Sequence, residues 1–155
     1  MIVRMVAVIL LAAGLGRTGI AQEKANSCSV NFTSPQSGDR VAGEGDASGS
    51  ATNLPPGTHV WVFAHRRGLG LWWPQGGGAA KLQEGGKWRV FVTYGQNRDL
   101  GSEFELTTAV LADADDADMN NWIKRAEETG QYPGIRLPAS QQGCITKTIV
   151  VTRER

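Results

Sequence analysis

Large apolar residues alternate with polar ones along much of the chain, and this is the period of a half-buried β-strand. The clearest case is residues 87–94, where every second side chain from Trp88 onward is apolar and faces one side. Residues 103–111 repeat the pattern, and residues 28–33 and 145–152 fit a first and a last strand. The pattern therefore predicts a mainly β fold.

Residues 58–65 are predicted to form a central strand that is covered on both faces. Alternation gives one face aromatic and histidine side chains and the other face aliphatic ones: His59, Trp61, Phe63 and His65 against Val60, Val62 and Ala64. Pro55-Pro56-Gly57 supplies the preceding turn, because proline fixes φ and glycine accepts a positive φ. Residues 40–52, which are mostly small, predict at most a thin edge strand, and residues 69–73 predict a short strand.

Before the last strand the apolar period changes to that of a helix. Four apolar residues then share one face: Met119, Trp122, Ile123 and Ala126. Asp115 or Asp116 is the expected N-cap, and Gly130 with Pro133 marks the end. The sequence predicts one helix at about residues 116–129, packed on the sheets because its apolar stripe is too narrow for a core of its own.

The first 21 residues have the pattern of a secretory signal peptide. Arg4 precedes an apolar run that is shorter than the roughly 20 residues needed to span a bilayer. Gly19-Ile20-Ala21 fits a small-x-Ala cleavage site. We expect cleavage near Ala21, a flexible leader over residues 22–27, and one domain over residues 28–155. This domain is expected to be extracytoplasmic, either secreted or periplasmic, with no membrane span.

The charge balance indicates no electrostatic partner. Loss of Arg4 and Arg17 with the signal peptide would reduce the 16 basic residues to 14 against 15 acidic ones, a net charge of −1. Nucleic-acid binding normally needs a concentrated basic face, whereas the basic residues here are scattered among acidic ones. We therefore expect no nucleic-acid partner, and no motif indicates a cofactor.

The turn and strand signals resemble those of a known class of domain. The chain is similar to small bacterial extracytoplasmic modules with an immunoglobulin-like or fibronectin type III-like sandwich in its succession of motifs: Ser34-Pro35, Asn53-Leu-Pro-Pro-Gly57, Gly86-Lys-Trp88 and Phe104-Glu-Leu106. The resemblance covers about residues 28–112 and the final strand. It implies an immunoglobulin-like antiparallel β-sandwich that binds or spaces rather than catalyses. The chain differs from the antibody-type pattern in two respects: it has an additional helix, and it lacks two cysteines that flank the strand tryptophan.

Cys28 and Cys144 are the only cysteines in the sequence. In an exported chain a disulfide between them is the expected state, and it would tie the start of the first strand to the start of the last. The alternative is lipidation of Cys28, because Ala25-Asn26-Ser27-Cys28 faintly resembles a lipobox.

The predicted ligand site is an aromatic and basic cluster beside a glycine loop at residues 76–78: Arg66, Arg67, Leu71, Trp72 and Trp73. Adjacent strand residues point to opposite faces, so both tryptophans cannot enter one core layer. An exposed ring would suit a glycan, an envelope component or a protein partner. The alternative is that the second ring is covered and completes a hydrophobic layer.

The sequence assigns no catalytic residue and no metal ligand. A small secreted hydrolase using Glu103 and Glu105 is the alternative function, because alternate strand residues project together. His59 and His65 lie too far apart on one strand to share a metal ion, and no acidic residue is placed by sequence to orient either ring. Asp113, Asp115, Asp116 and Asp118 could gather calcium ligands, although helix capping explains this cluster with fewer assumptions.

Overall fold

The computed structural model describes residues 27–141 and 143–154. The predicted signal peptide and residues 22–26 of the predicted leader lie outside the described residues. The strands are β1 (Cys28–Ser34), β2 (Arg40–Val41), β3 (Glu44–Thr52), β4 (Thr58–Arg66), β5 (Trp73–Pro74), β6 (Lys87–Thr93), β7 (Glu103–Ala112), β8 (Cys144–Thr146) and β9 (Ile149–Arg153). The α-helix α1 spans Asp113–Thr129, and short 3-10 turns lie at Glu84–Gly86 and Asn97–Asp99.

The strands form two sheets in a sandwich-like arrangement, which confirms the prediction of a mainly β fold with an inserted helix. One sheet has the order β6-β3-β1-β8 and the other has the order β2-β9-β7-β4-β5. Neighbouring strands are antiparallel except for β1 with β8 and β2 with β9. The described part of the chain contains no helix with the length and hydrophobicity of a transmembrane segment.

The inner core lies between the two sheets and takes the apolar face of each strand. Val30, Ala47 and Trp88 come from the first sheet, and Val60 and Leu106 come from the second. The alternation predicted for β6 and β7 is confirmed, because their even-numbered apolar residues are buried while the exposed Phe91 faces outward. Burying such side chains is the main favourable term in folding.

An outer core covers the opposite face of β4, so the two-sided character predicted for this strand is also confirmed. Trp61 and Phe63 from β4 join Ala109 and Leu111 from β7 in a second buried cluster. The apolar stripe of α1 closes this cluster: Trp122 and Ala126 are buried, and Met119 and Ile123 pack against it.

The helix begins earlier than predicted and without a side-chain cap. Ala112 is the N-cap, so the prediction of Asp115 or Asp116 in that role is wrong. Asp116 lies within the first turn, where its carboxylate accepts a hydrogen bond from Trp61 Nε1 at 2.7 Å. The Asp116 carboxylate, which the sequence pattern assigned to the helix cap, therefore forms a hydrogen bond to the sheet. The helix ends at Gly130 in the left-handed conformation, as predicted.

Residues 44–52 form an inner strand and not the thin edge strand that small side chains suggested. β3 pairs with β1 on one side and with β6 on the other. A Cβ atom at Gly49 would overlap both the indole ring of Trp88 and the carbonyl group of Asn31. Glycine is required there because the large Trp88 side chain lies across the strand.

The predicted last strand is two strands that belong to different sheets. Cys144–Thr146 pairs in parallel with β1, whereas Ile149–Arg153 pairs antiparallel with β7. The residues between them carry the chain from one sheet to the other. The strand expected at 69–73 is also shorter than predicted, since only Trp73–Pro74 pairs with β4 as a named strand.

Gln75, directly before the glycine loop, forms a backbone hydrogen bond to one sheet and a side-chain hydrogen bond to the other. Gln75 N donates to Val62 O at 2.9 Å, and the Gln75 side chain accepts from Thr93 N at 2.9 Å. A Cβ atom at Gly76 would lie 2.5 Å from Val90 Cγ1, which shows how closely the loop approaches β6. The loop thus closes one side of the sandwich.

The disulfide predicted between Cys28 and Cys144 is present. The two residues are register partners in the parallel β1–β8 pair, with Cα atoms 4.4 Å apart. Neither cysteine in the described part of the chain is free, so Cys28 has no thiol for a lipid.

Candidate binding surface

Arg66 and Arg67 lie at the end of β4, where both guanidinium groups have acidic partners. Arg66 Nη1 is 3.2 Å from Asp99 Oδ1, and Arg67 Nη1 donates to Glu103 Oε2 at 2.8 Å. The hydrogen bond and charge of Glu103 raise the pKa of Arg67 above its usual value. Arg66, Arg67 and Glu103 line an open depression of about 340 Å³ together with Gly68 and Ser102. The arginines predicted as ligand contacts are thus already neutralised by neighbouring carboxylates.

The buried His65 imidazole lies beside the Glu105 carboxylate, a contact that the sequence analysis did not predict. The two residues are register partners on β4 and β7, and His65 Nε2 lies 2.6 Å from Glu105 Oε2. His65 is 6% exposed, and its Nδ1 atom has no hydrogen-bond partner among the residues that the structure describes. Trp72 stacks on the imidazole with ring centroids 3.7 Å apart and planes 16° from parallel. Trp72 is therefore a packing residue that covers this pair.

His59 also has an acidic partner, at the other end of β4. Its Nε2 atom lies 2.8 Å from Asp113 Oδ1. The sequence places no acidic group beside either histidine, and it is strand register and the start of α1 that bring Glu105 and Asp113 to them. Among residues 27–141 and 143–154, no three histidine, cysteine or acidic side chains are grouped to hold a metal ion.

An antiparallel β-bridge joins Trp72 to Ile135 and determines to which face the adjacent side chains point. Trp72 N donates to Ile135 O at 2.8 Å, and Ile135 N donates to Trp72 O at 2.9 Å. Both side chains pack against the outer core. Residues one position away must face the other side, so Leu71 and Trp73 share a face with Arg136. The predicted opposition of Trp72 and Trp73 follows from this parity.

Gly134 and Tyr132 pack against Trp73, which its register partner Ala64 places on the sheet face that turns toward the other sheet. A Cβ atom at Gly134 would lie 2.7 Å from Leu71 Cβ and 2.9 Å from Trp73 Cζ2, so only glycine allows this approach. Trp73 Nε1 donates to Tyr132 O at 2.8 Å. The Tyr132 ring meets Trp122 of α1 at 6.2 Å, which links the surface to the helix.

We call the surface formed by Leu71, Trp73, Tyr132 and Arg136 the outer patch. Leu71 is 43% exposed and Tyr132 is 55% exposed, while Trp73 is partly buried. Leu69 and Leu137, on the same two segments, are also exposed. The outer patch is therefore a set of exposed side chains along the β5 edge of the sheet: Leu71 and Trp73 lie on the face of Ala64, and the Tyr132 ring lies beside Trp122 of α1.

Of the residues predicted to contact a ligand, the structure brings Leu71 and Trp73 into the outer patch and turns Trp72 inward. Arg66 and Arg67 lie at the end of β4, with Asp99 and Glu103. Tyr132 and Arg136 were missed, since their segment shows no periodicity and only the Trp72–Ile135 pairing places it on the sheet. That these residues bind a ligand stays a prediction.

Comparison of the chain with protein-family models gave no match, and comparison with curated proteins gave none either. What the chain binds has therefore to be inferred from the chemistry of its own surface.

Proposed function

We propose that the chain is an exported, non-enzymatic module with an immunoglobulin-like sandwich that binds an envelope component, a glycan or a protein through the outer patch. The observation that carries the proposal is the exposure of Leu71 and Tyr132 at the β5 edge of the sheet, where Trp73 Nε1 donates to Tyr132 O. Large exposed apolar side chains near one another commonly mark interaction sites.

Strand order supports the immunoglobulin-like part of the proposal. In one sheet β3 lies between β1 and β6, and in the other β7 lies between β4 and β9. This is the order of strands A, B and E against strands C, F and G in immunoglobulin domains, with β5 beside β4 as strand C′. In this correspondence α1 lies in the loop between strands F and G, next to the turn that precedes β4.

Export is supported by the predicted signal peptide and by the disulfide. Disulfides persist in secreted and periplasmic proteins and are rare in reducing compartments. The Cys28–Cys144 bond is compatible with that location.

The hydrolase alternative has less support. Glu103 forms an ion pair with Arg67, and Glu105 lies against His65. These partners favour roles in ion pairs and packing, and of the two carboxylates only Glu103 lines the depression beside Arg67, whereas a catalytic pair needs both to reach a substrate.

Capture of envelope proteins and glycans by the immobilised mature chain tests the proposal. Leu71→Glu and Tyr132→Ala should reduce capture strongly. The matched control is Phe91→Ala, because Phe91 is 52% exposed but lies on the outer face of the other sheet. Equal capture by all three variants and the unmodified chain would contradict binding through the outer patch.

A further inference from the structure

We propose that the open edge of β6 binds an extended acidic segment of another protein as an added β-strand. β6 is an outermost strand of the first sheet: it pairs with β3 on one side, and no described strand pairs with it on the other. This edge is distinct from the outer patch, which lies at β5 in the second sheet. The inference therefore goes beyond the proposed function and does not depend on it.

Backbone hydrogen bonds show which groups of β6 point away from β3. Tyr94 N, directly after β6, donates to Gly43 O, directly before β3. Thr93 N instead donates to the side chain of Gln75, on the opposite side of the strand. The N–H and C=O groups of successive residues in an antiparallel strand point to opposite sides. The even-numbered residues of β6 therefore bond to β3, and the odd-numbered residues face the open edge.

Two exposed residues in the middle of this edge have unpaired backbone groups. At one end of the strand Lys87 O accepts a hydrogen bond from Gln83 N at 2.7 Å. Between this bond and the one at Thr93, the N–H and C=O groups of Arg89 and Phe91 have no partner within residues 27–141 and 143–154. Unpaired groups along a strand edge are a template for pairing with another chain. The backbone of β6 can therefore accept an added strand at these two residues.

The side chains along the open edge favour an acidic segment. Lys87 and Arg89 are both exposed on the outer face of β6. Arg89 Nη1 lies 3.6 Å from Asp46 Oδ2, too far for a hydrogen bond, and Lys87 has no ion pair within the part of the chain that the structure describes. Directly opposite residues on neighbouring strands share a face, so carboxylates at alternate positions of an added strand would meet both cations.

The same charges disfavour pairing between two copies of this chain. Two β6 edges placed side by side would bring together Lys87 and Arg89 from both copies, and charged edge residues of this kind protect against edge-to-edge association. Gln83 also lies beside Lys87 and closes that end of the edge to a second rigid strand. A flexible segment can bend away at this point. The occupant that fits is therefore an extended acidic segment of a different protein.

Fluorescence anisotropy with defined peptides tests the proposal on the mature chain with its disulfide intact. The main probe is a labelled eight-residue peptide of alternating Glu and Thr, and a matched peptide replaces Glu by Lys. Two further peptides carry backbone N-methyl groups, one on every Glu and the other on every Thr. We expect the Glu peptide to bind and the Lys peptide not to bind. The two N-methylated peptides should differ in affinity, because only one of them loses the N–H groups that face β6.

Variants of the chain assign the contact to the edge. Arg89→Pro removes a backbone N–H from the open edge and should leave the bonds to β3 intact, since proline is tolerated where the N–H of an edge strand faces solvent. It should weaken binding of the Glu peptide about tenfold or more, because both a main-chain donor and a cation are lost. Arg89→Ala keeps the N–H and should weaken binding only about threefold. Leu71→Glu, at the outer patch, should leave it unchanged.

Amide hydrogen exchange measured by NMR gives the direct signature. With the Glu peptide bound, the N–H groups of Arg89 and Phe91 should exchange more slowly, whereas that of Tyr132 should not change. If Arg89→Pro does not fold, the two N-methylated peptides test the same hydrogen bonds on the unmodified chain.

Other outcomes overturn the proposal. Equal binding of the Lys peptide would show that acidity does not select the partner, and equal binding of the two N-methylated peptides would show that no strand is added. Loss of peptide binding in Leu71→Glu would place the contact at the outer patch. Self-association of the chain without peptide binding would assign the edge to a second copy. Absence of peptide binding overturns strand addition but not the proposed function, which capture through the outer patch tests separately.

Discussion

Tyr94 is a residue whose burial should be visible in the stability of the protein at high pH. It is 2% exposed, and its ring meets Phe104 edge-on at 6.0 Å. Burial raises the pKa of Tyr94 from 10.0 to about 12. The folded chain then holds the phenol proton over a pH range in which the unfolded chain releases it, so stability is intact below pH 10 and falls as pH rises toward 12.

Urea unfolding between pH 8 and pH 12 measures this effect. The unmodified protein should lose about 2–3 kcal/mol more than Tyr94→Phe over that range, because two pKa units correspond to that energy. Tyr94→Phe is the control for all other groups that titrate there. An equally steep alkaline loss in both proteins would show that Tyr94 is not the cause.

Gly49 should be sensitive to a single added methyl group. Gly49→Ala would push a Cβ atom into Trp88 and the Asn31 carbonyl, and overpacking of this kind costs about 1–3 kcal/mol. Gly45→Ala is a matched control, since a Cβ atom at Gly45 in the same strand meets nothing within 4 Å. Chemical denaturation of both variants makes the comparison, and equal losses would count against close packing over Gly49.

The helix α1 is the element whose packing is most open to test. Trp122 is 7% exposed, so Trp122→Ala should lower the free energy of unfolding by about 3–5 kcal/mol. Lys124→Ala, on the exposed side of the same helix, should change it by less than about 0.5 kcal/mol. Thermal and urea unfolding measure both. An unchanged midpoint for Trp122→Ala would mean that the helix does not stabilise the sheets.

Strands and helices in which apolar residues recur at a regular spacing could be predicted from the sequence. Elements that owe their position to residues far away in the sequence could not. β4, β6 and α1 show their buried faces in the sequence itself, because large apolar residues recur at the strand or helix period. β3 lacks that signal because its side chains are small, and at Gly49 the reason is Trp88 from another strand. Only part of the outer patch was predicted, for a similar reason. Leu71 and Trp73 were found because adjacent strand residues point to opposite faces, whereas the segment with Tyr132 and Arg136 is placed only by the long-range pairing of Trp72 with Ile135.

At the scale of the whole molecule, the predicted signal peptide sets where the mature chain begins. These residues lie outside the described part of the structure, so the prediction rests on Arg4, the apolar run and the cleavage pattern ending at Ala21. Mass spectrometry of exported protein should give a mature chain that starts at Gln22. Recovery of a chain that retains Met1 would show that the segment is not cleaved.

The disulfide between β1 and β8 has a mechanical consequence. Tension applied to the two ends of the domain passes through the Cys28–Cys144 bond, so the force bypasses the segment between two cysteines that are separated by 116 positions in the sequence. The bypassed segment has a contour length of about 400 Å, whereas residues 145–154 can extend by only about 35 Å. Single-molecule stretching should therefore show a nearly inextensible link while the bond is intact. In the presence of a reductant the same domain would become a long tether.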